Sequence, residues 1–417
     1  MNRLKTLPLL LLLLFACNQE ENDDFESSYF WTPGIQLEKG NEKATLYLTD
    51  PRPFTEYVGA VPSNPDFFEV HISEDNKDFS VYKKVDVKVK STEIGGLKND
   101  RPYYIFVTAH KNGSVPDSSN KVMTVPSIEY SYKKYLEDVE YAVERISTSN
   151  DGMHMSFASN NYLNNRGGDF LYYRTKNPGS IYLIERDSHS ASWSNRANKL
   201  VYLTEIKEGI FMYPYKLKLF DVNKMNSTTV FQIPFNEYYI KNPKFIPNKD
   251  IITFLSSENN KGMSIYDLWS IDLESGEKIK IVDFEDEGFE LSYEYVLNNN
   301  GNELYMDGRF ISSKSSNDIY KMNVNTKAIE PVIKSQWQDK IPSLSPDNTK
   351  LLFVSDRSGE DEIWLLNLND QKLYQITGGN NYSFDSRYSN IQWLNNEEIV
   401  ITAFSKSNPI AFKITID

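Results

Sequence analysis

The side chains of this 417-residue chain that could do covalent or metal chemistry are few. Cys17 is the single cysteine, so no disulfide can form within the chain. The four histidines are His71, His110, His154 and His189, too scattered for a multi-histidine metal site, and no metal is expected. His154 falls in an apolar run and is expected half-buried, whereas His189 is expected in a loop. No Gly-x-Ser-x-Gly elbow occurs to present a serine nucleophile. Carboxylates are plentiful, and a glycosidase needs only two of them about 5–10 Å apart, a condition that sequence alone does not test. The acidic run Asp283 to Glu290 lacks the alternating ladder of a calcium loop and fits a solvated connection. Recognition chemistry is better represented. Trp337 lies in the polar stretch SQWQDK, and Tyr238, Tyr239, Tyr382 and Tyr388 fall in loop-like sequence, where exposed rings can stack on a sugar or a partner side chain.

The start of the chain carries a different chemistry. Arg3 and Lys5 precede the apolar run Leu7 to Ala16, about half of the ~20 residues that a spanning helix needs. A charged start and a short apolar core define an export signal. Leu14-Phe15-Ala16-Cys17 resembles the lipobox of bacterial lipoproteins. The resemblance implies a signal peptide over residues 1–16 and a diacylglyceryl group, with a further acyl chain, on Cys17. Each buried acyl CH₂ contributes about 0.8 kcal/mol, so two or three chains hold a protein durably on a membrane. Residues 17–29 read as an acidic tether, and Asn18 to Glu26 resembles the acidic export tag of Bacteroidota surface lipoproteins; a plain solvated spacer is the alternative. The location implied is the cell envelope, as an outer-membrane lipoprotein, with a surface-exposed protein as one arrangement. The formal charge of −13 makes nucleic acid an unfavourable partner.

Those signals must be carried by folded elements, and the remaining residues predict an all-β protein in two units. Over residues 30–127, apolar residues alternate at Ala44, Leu46 and Leu48, at Phe68, Val70 and Ile72, and at Val85, Val87 and Val89, each set able to bury one face of a strand. Turn-rich stretches separate them, as in a sandwich. Leu97-Lys98-Asn99-Asp100-Arg101-Pro102-Tyr103, followed by Ile105, Val107 and Ala109, resembles fibronectin type III domains, a class of immunoglobulin-like sandwich. The resemblance makes Tyr103 the corner tyrosine that returns its hydroxyl to nearby backbone. Leu48 departs from the family, which usually buries a tryptophan there. The role expected is that of a spacer.

Residues 128–417 carry a repeat. One strand type has the form acidic-apolar-aromatic-x-apolar-acidic or amide: Asp267 to Asp272, Asp318 to Asn323 and Glu362 to Asn367, with weaker copies at Ser180 to Glu185, Lys216 to Asp221 and Ile410 to Thr415. An apolar strand precedes each copy, the clearest being Leu351 to Ser355. Periods of 40–50 residues with several strands each are the signature of propeller blades, and six fill the segment. The repeat Leu344-Ser345-Pro346-Asp347-Asn348, then Ser355-Asp356-Arg357-Ser358-Gly359, then Glu362-Ile363-Trp364 resembles TolB-type six-bladed propellers. The resemblance implies that the Ser-Pro-Asp turn opens the blade and that the Asp-Arg-x-Gly turn links its middle strands. Trp269 and Trp364 are expected as packing residues. The last copy lacks a strand, and part of Tyr130 to Ile146 is expected to close the ring, with a short helix over Lys133 to Arg145 as the alternative.

The expectation is a lipid-anchored envelope protein that binds a protein or glycan through its propeller, without catalysis or a cofactor. The alternative is a glycosidase or lyase acting on polysaccharide in the propeller's central pocket. Oligogalacturonate lyases resemble this outline but need several histidines about a metal, and no hydrolase-sized segment follows the blades.

Overall fold

In the computed structural model every strand ladder is antiparallel, and no helix occurs among the described residues. The structure describes residues 30–416, apart from 51–62, 129, 138, 140–142, 144, 150, 161–168, 177–179, 195, 197, 206–214, 233–237, 259–265, 314–315, 379–389 and 406–407. The expected export signal, Cys17 and the expected acidic tether lie outside the described residues, as do Tyr382 and Tyr388.

The first unit is two sheets around one core. Gly34–Gly40, Lys43–Thr49 and Ser91–Gly95 form a three-stranded sheet; Ser80–Asp86, Phe67–Ser73, Tyr103–His110 and Asp117–Ser118 form the other, with Val122–Thr124 also paired to Tyr103–His110. Alternation sets the packing. Leu46, Ile94, Phe68, Val70, Ile105 and Val107 are fully buried between the sheets, while the residues between them face outward. Trp31 closes the core edge-on against Phe68, with ring centroids 5.3 Å apart. Tyr103 is buried, and its hydroxyl accepts the Lys98 amide at 3.0 Å.

Six four-stranded sheets follow, each a blade. Their innermost strands are Arg145–Thr148, Ser188–Trp193, Tyr238–Phe245, Phe289–Leu297, Asp339–Leu344 and Ile391–Trp393. The second strands are near-continuous apolar runs because stacked blades cover both faces: Leu200 to Leu203 and Leu351 to Val354 are all fully buried. Outermost strands face water and read as polar, as Asn226–Gln232 does.

The ring closes through Tyr132–Lys134, which pairs with the last strand, Asn408–Thr415, placing Tyr132 opposite Ile414 and Lys134 opposite Phe412. The expected closing segment therefore divides. Its start completes blade six, and Arg145–Thr148 opens blade one.

Two strand expectations are corrected. In blade one the third strand is Asp169–Thr175, and Ser180 to Glu185 overlaps the fourth, Tyr182–Arg186. Tyr182 and Leu183 are exposed, as an outermost strand allows, whereas the third-strand residues Leu171 and Tyr173 are buried. The Ser-Pro-Asp turn does not open blade five; it joins the innermost strand Asp339–Leu344 to the second, Lys350–Ser355. Its serine and aspartate hold the reversal, with Asp347 accepting the Ser345 hydroxyl at 2.6 Å and the Thr349 amide at 3.0 Å.

The two units share a joint at the turn between the middle strands of blade five. The Leu37 amide donates to Ser358 O at 2.7 Å, and the Met123 amide to Arg357 O at 2.5 Å. Gly359 has φ +104°, and a Cβ there would lie 2.6 Å from Ile35 O, so both backbone conformation and close approach require glycine. Met123 and Val125 pack into one cluster with Leu351, Phe353 and Trp364. The buried Lys39 ammonium donates to Ser127 Oγ at 2.9 Å and Gln375 O at 2.7 Å.

Candidate functional site

All six innermost strands line an axial cavity of about 700 Å³, a size suited to a small ligand or a short chain segment. Four of these strands share a device. The ladder to the second strand breaks between His189 and Ser192, Lys241 and Lys244, Leu291 and Tyr295, and Lys340 and Ser343. Inside three of these bulges a non-glycine residue adopts positive φ: Ser190 at 53°, Asn242 at 52° and Ile341 at 57°. Asparagine tolerates that conformation through its short polar side chain, but a β-branched residue pays a steric cost of roughly 1–2 kcal/mol. A bulge re-aims side chains, here into the cavity that Ser190, Asn242 and Ile341 line.

Neighbouring blades clasp these irregular strands. The indoles of Trp193 and Trp393 each donate at 3.0 Å to a backbone oxygen of the preceding blade, Ser147 O and Ser343 O. Asn390 Nδ2 donates to Ile146 O at 2.9 Å, tying blade six to blade one. In blade four, the fully buried Asp307 accepts the Glu294 amide at 2.7 Å. Lys241 Nζ donates to Ser292 O at 3.1 Å; burial pushes its ammonium below the usual lysine range, against the pull of Asp307 and Glu294.

Most charged groups of the described wall are matched. Lys244 Nζ lies 3.1 Å from Glu294 Oε1, and His189 Nε2 lies 3.5 Å from Glu205 Oε1. His189 Nδ1 shares a hydrogen bond with Ser190 Oγ at 2.9 Å. No group of three or more His, Cys, Asp or Glu converges among the described residues.

Of the aromatic residues singled out in the sequence, Trp337 lies away from this cavity. Trp337 is half-buried in the joint: its indole N–H donates to Lys121 O at 3.1 Å, its ring stacks on Tyr104 at 6.2 Å, and the Arg357 guanidinium lies 5.6 Å from its centroid. It is a packing residue between the units, not an exposed rim contact. Tyr238 and Tyr239 belong to the innermost strand of blade three, their backbones opposite Glu258 and Ser257, and not to a loop. Trp364 is fully buried as expected, and Trp269 is half-buried beneath Lys278 Nζ at 4.4 Å. In the acidic run, Phe284 and Phe289 are buried while Glu285 and Glu287 face water. His154 is half-buried, bonded to Tyr173 Oη at 2.9 Å and stacked on Trp193.

His189 is corrected in the other direction: it lies on the innermost strand of blade two, opposite Leu203, and lines the cavity. Arg145, Glu205, Lys244 and Glu294 join it without having been singled out in the sequence. The available signal was the residue that ends each innermost strand. Counting back from Trp193, Phe245 and Trp393 reaches the cavity in blades two, three and six.

Six four-stranded blades around an axial cavity define a six-bladed β-propeller. Residues 192–416, just over half of the chain, match the TolB beta propeller (PD40) domain, and the chain belongs to that family. Among solved structures, a putative TolB from Agrobacterium tumefaciens is 12% identical with a TM-score of 0.45, covering 84% of this chain and 99% of its own. An oligogalacturonate lyase from Vibrio parahaemolyticus is 12% identical with a TM-score of 0.47, covering 70% of this chain and 98% of its own. The β-propeller domain of the trilobed protease from Pyrococcus furiosus is 13% identical with a TM-score of 0.44, covering 92% and 96%. Likenesses at this level carry no argument about ligand or activity.

Proposed function

We propose that this protein is a lipid-anchored envelope protein that binds a glycan or protein partner at the axial cavity of its propeller. The observation that carries this reading is the repeated bulge: four innermost strands break their ladders around one cavity, three of them with a positive-φ residue. Strain repeated around a cavity is retained where it presents groups to a ligand. The lipobox ending at Cys17 supports attachment to the outer membrane, and residues 17–29 suit a tether. The first unit is read as a fibronectin type III-like, immunoglobulin-like sandwich, supported by its two sheets and the bond from the Lys98 amide to Tyr103. Its many contacts with blade five favour an orienting role over that of a loose spacer.

Binding is favoured over polysaccharide cleavage because Glu205 and Glu294, the acids of the described wall, each face a basic side chain. One observation favours a second reading, a hydrolase in the same cavity: Ser190, His189 and Glu205 form a hydroxyl–imidazole–carboxylate series at 2.9 and 3.5 Å. Two measurements separate the readings. A screen of the full-length chain in detergent against glycans and envelope proteins should find a ligand whose binding weakens in Asn242→Ala. A fluorophosphonate should leave Ser190 unlabelled; an adduct on Ser190 would establish the hydrolase instead.

A further inference from the structure

Arg145 differs from the other charged residues of the cavity. It lines the wall from the innermost strand of blade one, and among the described residues its side chain makes no hydrogen bond and no ion pair. Lys244 and His189 both have acidic neighbours. A second observation points the same way. Ser156, on the adjacent strand, is fully buried and lines the same cavity, yet its Oγ has no hydrogen-bond partner among the described residues. The ladder places Arg145 opposite Ala158 and Ser147 opposite Ser156, so the arginine and the orphan hydroxyl lie two rungs apart on one face of the same strand pair. A buried hydroxyl without a partner costs free energy that a ligand acceptor recovers. A guanidinium presents a planar fork of donors that matches an oxyanion. The chain as a whole carries −13, so an anion that enters must be drawn by a local cation.

From these observations we propose that Arg145 and Ser156 form an oxyanion subsite of the axial cavity, which takes the carboxylate or phosphate of a small ligand or of the partner's terminal group. The inference rests on the cavity being the binding site, and adds the chemistry that it selects. Arg145 supplies the charge-assisted bonds, and Ser156 Oγ donates one more.

The test is calorimetric titration of the full-length chain with citrate and with inorganic phosphate at matched ionic strength, with sucrose as the neutral control. Saturable binding of either anion is expected, weakened at least about 10-fold in Arg145→Gln, in part retained in Arg145→Lys, and weakened a few-fold in Ser156→Ala. Ser156→Ala changes one buried hydroxyl that has no partner, so it reports on the subsite even if Arg145→Gln unfolds. Preference for citrate or for phosphate identifies the anion. Absence of saturable binding to both anions, or equal binding by wild type, Arg145→Gln and Ser156→Ala, overturns the proposal. If anions fail while a glycan or protein still binds in an Asn242-dependent way, the subsite falls and the cavity stands as the binding site.

Discussion

Trp337 Nε1 donates to the backbone oxygen of Lys121 across 3.1 Å, joining the loop before blade five to the residue that leads into the strand Val122–Thr124. The bond belongs to a joint that includes the Tyr104 ring, the Arg357 guanidinium and the buried Met123 and Val125. Two units packed this closely should unfold together, unlike modules linked by a flexible spacer.

Trp337→Ala should therefore lower stability by about 3 kcal/mol, since it deletes a large half-buried ring and its one polar bond. Differential scanning calorimetry should show one transition for wild type and two for the variant. Two transitions in wild type would show that the joint does not couple the units.

Arg357 is the most constrained cation of the joint. It is 3% exposed, donates to Asp339 Oδ1 at 2.5 Å and to Ser355 Oγ at 2.9 Å, and lies over the rings of Phe353 and Trp364. Arg357→Ala leaves the fully buried Asp339 without its counter-charge, and should cost about 3–5 kcal/mol in urea unfolding. Arg357→Lys should recover less than half of that loss, because an ammonium cannot reproduce the fork or the stacking.

Burial pushes the Glu362 carboxyl up to about 8, with Glu360 and Asp361 adding repulsion while the Thr377 hydroxyl bond and Lys39 oppose the shift. Between the ordinary glutamate value and 8, the folded protein holds a proton that the unfolded chain has released. Stability from this group is complete below about pH 4.5 and is lost as pH rises through 8. Glu362→Gln should flatten that dependence and gain on the order of 1–2 kcal/mol at pH 8.5 relative to wild type. Parallel denaturation curves at pH 5 and 8.5 check it; an unchanged pH slope in the variant would refute it.

Asn242 holds φ at 52° within the blade-three bulge. Asn242→Ala should cost about 1 kcal/mol, and Asn242→Gly should fall within a few tenths of wild type, because glycine takes that conformation freely. Thermal melts of the two variants compare them directly; equal destabilisation would mean that the side chain, and not the backbone, sets the cost.

The repeat was legible because second and third strands are buried on both faces. Runs such as Leu351 to Val354 and Glu362 to Asn367 keep a common composition wherever a blade stacks. Blade one misled because its third strand, Asp169–Thr175, puts Phe-Leu after the acid where the pattern asks for apolar-aromatic-x. The exposed Tyr182 and Leu183 nearby imitated the motif.

The cavity was far less legible. Bulges break the two-residue period that marks a strand, so His189 and Tyr238 read as loop residues although both lie on innermost strands. Trp337 misled for the opposite reason. Its polar neighbours Gln336 and Gln338 are exposed while its own ring turns into the other unit, a contact that no local pattern encodes.

The strand that closes the ring has a consequence for biosynthesis. Tyr132–Lys134 leaves the ribosome long before its ladder partner Asn408–Thr415. Even the supporting bond from the Tyr132 hydroxyl to Ile376 O spans 244 residues of chain. A contact so remote along the chain slows folding, because the loop must close before the pairing is rewarded. The first unit can form while the rest emerges, but the propeller cannot close until Asn408–Thr415 has been made. Until then, the earlier strand and the edge of the growing ring stand exposed to wrong pairing, a hazard that falls on the chain while it is still being made.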